Sequence, residues 1–219
     1  MISAVMEDYL KVIYHLQLEG NERVRTSEIA DQLEVTSPTV TSMLNKLEER
    51  ELIEREKYRG VSLTPEGKRV ALEVVRHHRL LETYLTEHLN YSWADVHEEA
   101  DQLEHHISDE FVARITKALN NPEIDPHGDP IPTSSLELPE DEIGTPLSEF
   151  EQGTTILVKQ VSDRDTEALE YLADQGIEPG TELTIVEIAP FGMITLEPTS
   201  DEQLVSLPQH IAQSIRVTS

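Results

Sequence analysis

Six residues in the middle of the chain combine metal-binding chemistry with helical spacing. His78 and Glu82 are four residues apart, so on a helix their side chains share one face. A second stripe of the same kind consists of His97, Asp101, Glu104 and His105. Two such helices packed face to face would present imidazoles and carboxylates to a divalent cation. The chain has no cysteine, so thiolate ligands and disulfides are excluded.

Helices must position these ligands, and the surrounding sequence predicts them. Thr64-Pro65-Glu66-Gly67 opens a long helix that runs to about Leu89. A second helix is predicted from Trp93 to Ser108, and a third from Asp109 to Leu119. The two ligand stripes therefore fall on two neighbouring helices.

The segment before these helices has the order of a winged helix-turn-helix. Apolar residues at helical spacing predict a first helix over residues 5–18, Thr26 opens a second, and Pro38 follows Ser37 as an N-cap for a third. Two short alternating segments, 52–56 and 61–63, then form a hairpin with a basic tip. In this motif the third helix enters the DNA major groove and the hairpin contacts the backbone.

The outward side chains of the third helix and the preceding turn favour DNA over a generic three-helix unit with a hairpin. They are short hydrogen-bonding types rather than the glutamates and lysines usual on a solvated helix, and include Asn45. We predict DNA contacts from Arg25, Thr26, Thr36, Ser37, Pro38, Thr39, Thr41, Ser42, Lys46, Lys57, Tyr58 and Arg59.

The C-terminal third changes character and predicts a separate β domain. Residues 120–142 are rich in proline and acids without periodicity, which is typical of a loop and a linker. Beyond them, four strand-like segments and a short helix over residues 165–175 predict a small β-barrel. The strand-like segments are residues 155–158, 181–186, 192–196 and 211–217. The predicted fold is α+β multidomain, with a winged helix-turn-helix (1–70), a helical metal-binding and dimerisation domain (71–132), a linker (133–144) and a small β-barrel (145–219).

The net charge of −26 is unusual for a DNA-binding protein and is unevenly distributed. Residues 1–70 carry ten basic and thirteen acidic side chains, whereas residues 71–219 carry seven and thirty. So acidic a surface indicates a cytoplasm of very high salt, where repulsion between carboxylates is screened. An ordinary acidic protein is the alternative. No segment is long and apolar enough for a membrane span, and no signal peptide is recognisable, so we expect a cytoplasmic protein.

Several motifs resemble the diphtheria toxin repressor family of metal-dependent regulators, which includes iron-dependent regulators and the manganese regulator MntR. They lie in the family's order at residues 6–16, 55–60, 76–82, 97–106 and 126–132. Residues 145–217 resemble the family's C-terminal SH3-like, or FeoA-like, domain, with Gly176-Ile177-Glu178-Pro179-Gly180 as the matching turn. The resemblance covers essentially the whole chain.

The resemblance implies two metal sites per subunit, for Mn(II) or Fe(II). The primary site would contain Asp8, Asp101, Glu104 and His105. The ancillary site would contain His78, Glu82 and His97, completed from the SH3-like domain by Asp165, with Asp163 or Glu167 as alternatives. Iron-type members have Met and Cys at the positions of Asp8 and Asp101, so at these two positions the sequence is closer to the manganese type. The extra N-terminal carboxylate of that type is absent, because Lys11 occupies its position.

The function implied by the resemblance is repression rather than catalysis. The loaded protein would bind double-stranded operator DNA as a homodimer and control metal-uptake genes. A metalloenzyme is one alternative, since two histidines and a glutamate can form an iron site, although no substrate loop or nucleophile is apparent. A winged-helix regulator that does not depend on metal is the other.

Overall fold

A computed structural model describes residues 2–18, 20, 22–138, 144–163, 165–190, 192–199 and 204–219. The chain divides into two compact units. The first contains residues 1–78, 104–107 and 132–137, and the second contains residues 79–103, 108–131 and 138–219. Of the predicted linker, residues 139–143 lie outside the described part of the chain.

The first unit is a helical bundle with a two-stranded hairpin. Its elements are α1 (Ala4–Leu18), α2 (Thr26–Gln32), α3 (Ser37–Glu48), β1 (Ile53–Glu56), β2 (Gly60–Leu63) and the first part of α4 (Pro65–Leu89). The strands pair antiparallel, with Ile53 opposite Leu63. This is the helix, helix, helix, hairpin order that the sequence predicts.

Apolar residues at helical spacing hold these helices together. Leu10 and Ile13 of α1 are fully buried in the same core as Leu44 and Leu47 of α3. Their spacing of three residues places each pair on one helix face, so that α1 and α3 contribute to a common core. Helix α3 begins one residue earlier than predicted, with Thr36 as its N-cap. The position of α3 is therefore tied to that of α1.

The hairpin is attached to the bundle through its second strand. Val24 and Val61 exchange backbone hydrogen bonds, with N···O distances of 2.8 and 2.9 Å. Gly60 lies beside this bridge at φ +109°, and a Cβ there would approach the carbonyl oxygen of Val24 to 2.3 Å. Only glycine fits this close approach of two backbones. The turn at 57–59 is thereby held at a fixed place on the unit.

The helical part of the second unit contains the rest of α4, α5 (Val96–Leu103) and α6 (Asp109–Ala118). Helix α5 is shorter than the predicted Trp93–Ser108. Its start is delayed by a turn in which the amides of Asp95 and Val96 both donate to the Ser92 carbonyl. Trp93 packs against the core of the β domain in the same unit. In the part of the chain that the structure describes, no helix is both long and apolar enough to cross a membrane.

The β part of the second unit is a six-stranded antiparallel sheet with the order β3-β8-β4-β5-β6-β7. Its strands are β3 (Thr145–Pro146), β4 (Thr155–Val161), β5 (Glu182–Ala189), β6 (Met193–Pro198), β7 (Val205–Pro208) and β8 (Ile215–Thr218). Helix α7 (Thr166–Asp174) lies between β4 and β5, and α8 (Gln209–Gln213) between β7 and β8. The last predicted strand, 211–217, was wrong in its first half, because α8 continues to Gln213 before β8 begins.

Candidate metal centres and DNA-binding surface

Asp8, Glu104 and His105 form a compact cluster in the first unit, which we call the first centre. Ligand atoms of the three side chains lie within 4.8 Å of one another. Nε2 of His105 is 2.7 Å from Oδ1 of Asp8 and 3.3 Å from Oε1 of Glu104. Two carboxylates and an imidazole that converge in this way suit a divalent cation, and the oxygen-rich set suits Mn(II) or Fe(II).

The first centre is partly shielded from water. The Glu104 side chain is only 1% exposed. Burial raises the pKa of Asp8, an effect that the adjacent His105 partly offsets and the neighbouring Glu104 charge reinforces. A buried carboxylate next to a second, partly exposed one is costly without a positive charge nearby. The cluster therefore has both the donors and the electrostatic need for a positive ion.

Glu7 is a further member of this cluster that spacing did not identify. Its Oε2 lies 2.7 Å from Nδ1 of His105, on the opposite side of the ring from Asp8. A histidine that binds metal through one nitrogen usually donates its other N–H to a carboxylate. Glu7 is placed to orient His105 in this way.

Lys11 and His78 complete the surroundings of Glu104. The Lys11 ammonium lies 3.1 and 2.8 Å from the two carboxylate oxygens of Glu104, and 3.2 Å from Nδ1 of His78. Nδ1 of His78 is also 2.6 Å from Oε2 of Glu104. Within the first unit, His78 is thus a partner of Glu104, although the resemblance assigned it to the ancillary site.

Glu82, His97 and Asp163 meet in the second unit, and we call this group the second centre. Nδ1 of His97 lies 3.1 Å from Oε1 of Glu82 and 3.4 Å from Oδ2 of Asp163. The carboxylate of Glu82 is fully buried. These three residues come from α4, α5 and the segment that follows β4, so the fold joins the two predicted helices with the β domain at one group of metal-binding side chains.

His127 adjoins the second centre and was not assigned a role from the sequence. It is fully buried, and its Nδ1 lies 3.6 Å from Oε1 of Glu82 without a hydrogen bond. Its Nε2 lies 2.6 Å from the Trp93 carbonyl oxygen. Glu82, Asp125 and His127 place ligand atoms within 4.8 Å of one another. The second centre thus has additional donors on its buried side.

The electrostatics around His127 favour a cation. Burial disfavours the charged imidazole, but the carboxylates of Glu82, Asp125 and Asp163 together outweigh this and raise the pKa of His127 to about 9. Burial raises the pKa of Asp125 well above its usual range, and the nearby charges of Asp129 and Glu82 add to the effect. Asp125 also shapes the loop, since its Oδ1 accepts from the amides of His127 and Asp129, both at 2.9 Å.

Two predicted ligands have other surroundings in their own unit. Asp101 is exposed, and its carboxylate lies 3.4 Å from Nε2 of His97. Asp165 caps α7, with its Oδ1 accepting from the Ala168 amide at 3.1 Å. This geometry favours Asp163 over Asp165 as the carboxylate from the β domain. The assignments of Asp101 and Asp165 as ligands stay predictions.

The predicted DNA-contacting residues all lie in the first unit, and all but half-buried Thr26 are exposed. The turn of the hairpin is the most accessible part, with Tyr58 93% exposed and the Lys57 ammonium 5.0 Å from the centre of its ring. Beside it is a cleft of about 390 Å³, lined by Glu22, Arg23, Arg25, Glu28, Tyr58 and Arg59. A cleft with three arginines next to an exposed hairpin suits a phosphate backbone.

Acidic residues next to these arginines reduce the positive charge of this surface. Glu56 is paired with both Arg59 and Arg23, at 3.0 and 3.1 Å. Glu28 accepts from the Arg25 amide at 2.6 Å and so caps α2. Exposed ion pairs are weak, so DNA phosphate can replace a glutamate as the partner of an arginine.

Family models match nearly the whole chain. Residues 1–61 match the N-terminal DNA binding domain of the iron dependent repressors, and residues 64–133 match their metal binding and dimerisation domain. Residues 145–219 match the FeoA domain. These matches confirm the predicted winged-helix, helical and FeoA-like parts.

Individual relatives cover the chain from end to end. The iron-dependent repressor IdeR of Mycobacterium tuberculosis is 34% identical over 96% of this chain and 95% of its own length. The diphtheria toxin repressor of Corynebacterium glutamicum is 32% identical over 96% and 94%. Among solved structures, a manganese-dependent transcriptional repressor in complex with manganese superposes with a TM-score of 0.90 and 38% identity, over 98% of this chain and 99% of that one. The manganese regulator SloR gives 0.80 and 37%, over 98% of each chain.

Proposed function

Since this chain belongs to the iron-dependent repressor family, which includes the diphtheria toxin repressor, we propose that it represses transcription in response to a divalent metal ion. The loaded protein binds double-stranded operator DNA through α3 and the hairpin. Its targets are genes of metal uptake, so that repression stops uptake when metal is plentiful. The protein acts in the cytoplasm and is not an enzyme.

The first centre is the observation that supports this function most directly. It joins Asp8 of α1 to Glu104 and His105, which lie in a distant part of the sequence. Helix α1 shares its core with α3, so fixing α1 also restrains α3. A divalent ion bound by all three side chains ties α1 to the segment that carries Glu104 and His105. Metal binding is thereby coupled to the position of the DNA-reading helix.

Manganese is the metal that the donor set favours, with iron second. The first centre offers oxygen and imidazole donors and no sulfur, which suits Mn(II) well and Fe(II) acceptably. For any site of this kind, the affinity for divalent first-row metals rises from manganese toward copper. Which metal activates the protein therefore depends on coordination geometry and on metal availability. We assign two ions to each subunit, one at the first centre and one at the second.

The DNA-binding form is a homodimer held by residues of about 70–120. This region matches the dimerisation domain of the family and exposes Leu89, Tyr91 and Phe111. A two-fold dimer presents two copies of α3 to the half-sites of a palindromic operator. Light scattering at high salt with Mn(II) should give the mass of two chains, and a monomer would contradict this arrangement.

A binding titration tests the function. Duplexes selected from a random pool with Mn(II)-loaded protein serve as the operator, and fluorescence anisotropy measures binding with Mn(II), with Fe(II) under anaerobic conditions, and with chelator. Binding should require metal, and Glu104→Ala or His105→Ala should abolish it, while His78→Ala only weakens it. The exposed His106→Ala is the control. Binding that persists in chelator would instead indicate a regulator that does not depend on metal.

A further inference from the structure

An internal cation already occupies part of the first centre. Lys11 follows Asp8 by three residues on α1, so the two side chains share one face of the helix. The Lys11 side chain is 14% exposed and reaches a carboxylate, that of Glu104, which is 1% exposed. Its ammonium contacts both oxygens of Glu104 and one ring nitrogen of His78. Each atom that the ammonium contacts is a carboxylate oxygen or an imidazole nitrogen, and both types also bind metal ions.

The ammonium and a metal ion would compete for the same oxygen. Oε1 of Glu104 lies 3.3 Å from Nε2 of His105, on the side where Asp8 also converges, and 3.1 Å from the Lys11 ammonium. An ion bound between His105, Asp8 and Glu104 would therefore have a positive charge within a few ångströms of it. Charges at such distances repel strongly in a partly buried site.

Metal binding has two possible consequences for Lys11, and both reduce affinity. If the ammonium stays, it repels the divalent ion. If it rotates toward solvent, which its partial exposure allows, its contacts with Glu104 are lost. Conversely, in the absence of metal Lys11 neutralises Glu104 and stabilises the cluster of carboxylates formed by Glu7, Asp8 and Glu104.

We propose that Lys11 is an internal competitor of the metal at the first centre, which stabilises the metal-free form and sets the concentration of Mn(II) at which repression begins. The proposal rests on the function given above, in that the first centre must bind the activating metal. It assigns to Lys11 a role in metal sensitivity that is distinct from ligand binding. A lysine at this place keeps the sensor unresponsive until the metal is abundant.

Replacing Lys11 with methionine tests this role, because methionine keeps the apolar stem and removes the charge. Mn(II) binding to the full-length protein is followed by the electron paramagnetic resonance signal of free Mn(II), and His105→Ala identifies the step that belongs to the first centre. Lys11→Met should tighten that step about tenfold to a hundredfold. Lys11→Arg keeps a cation and should stay within about threefold of the wild type. Lys68→Met, an exposed lysine in the same unit, is the matched control.

Thermal unfolding gives a second measurement. In chelator Lys11→Met should unfold at a lower temperature than wild type, and its midpoint should rise more when Mn(II) is added. A variant that folds only with Mn(II) would support the proposal as well.

Unchanged or weaker Mn(II) binding in a folded Lys11→Met would overturn the proposal, with the proposed function intact. If His105→Ala lost no Mn(II) step, the assignment of the first centre would fail and the role of Lys11 with it. Metal-independent operator binding would refute the proposed function and the role of Lys11 in setting the onset of repression, but not the competition between Lys11 and the metal.

Discussion

His105 is held on both sides of its ring. Nδ1 faces Glu7 and Nε2 faces Asp8, each at 2.7 Å. When Nε2 binds a metal, the hydrogen bond from Nδ1–H to Glu7 fixes the tautomer and the direction of the remaining lone pair. Glu7 thus acts through His105.

Removing Glu7 should therefore weaken metal binding without removing a ligand. Glu7→Ala should lower Mn(II) affinity at the first centre by about tenfold to a hundredfold, the usual effect of losing such a partner. Glu7→Gln keeps an acceptor for Nδ1–H and should recover most of the loss, and nitrogen chemical shifts of His105 should show its tautomer restored. Exposed Glu54→Ala is the control for the change in charge. Equal losses in the alanine and glutamine variants would point to the charge of Glu7 instead.

Spacing in the sequence identified some residues of each centre, and there is a physical reason why it did not identify the others. Glu104 and His105 of the first centre, and Glu82 and His97 of the second, could be found because positions three or four apart share a helix face. Glu7 could not, since it is adjacent to Asp8 and neighbouring helix positions point in different directions. Its role arises only when His105 lies between the two carboxylates. His127 lies in an irregular loop, where no periodicity indicates which side chains face inward.

Helices were easier to predict than their ends. The spacing of Leu10, Ile13, Leu44 and Leu47 determines which faces of α1 and α3 are buried, and the structure agrees. The late start of the predicted 93–108 helix could not be foreseen. Trp93 packs against a core formed by a sequence more than fifty residues away, and long-range contacts of this kind override local periodicity.

The hairpin and α3 should contribute differently to DNA binding. Arg59 at the turn is exposed and forms an ion pair with Glu56. Its guanidinium can exchange this partner for a DNA phosphate. Arg59→Ala should weaken binding to selected and random duplexes by a similar factor and reduce the salt slope by about one. Ser42 faces outward from α3, and Ser42→Ala should lower the preference for the selected duplex by about tenfold.

Anisotropy titrations with both duplexes at several salt concentrations would measure these effects, with the exposed Lys68→Ala as the control for a positive charge lost outside the hairpin turn and α3. The roles would be refuted if both variants changed specific and random binding alike. A result of that kind would mean that α3 does not lie in the major groove.

At the scale of the whole molecule, charge is the dominant feature. The net charge is −26, and residues 71–219 hold −23 of it. Like charges on one surface repel over roughly the Debye length, which is about 8 Å at 0.15 M salt and 3 Å at 1 M. In dilute buffer this repulsion acts against the compact state. We infer that the chain is adapted to high salt, where its acidic surface carries little penalty.

Stability should therefore rise with salt. The midpoint of thermal unfolding, followed by circular dichroism in chelator, should increase from 0.15 to 3 M KCl, with most of the gain below about 1 M, where screening changes fastest. A neutral osmolyte at matched osmolality separates screening from the exclusion of solutes, because it leaves the repulsion in place and should give a smaller gain. Neutralising several exposed acids of the second unit, such as Glu167, Glu170 and Asp174 on α7, should flatten the salt dependence. A protein that is most stable in dilute buffer would show that its acidity is not an adaptation to salt.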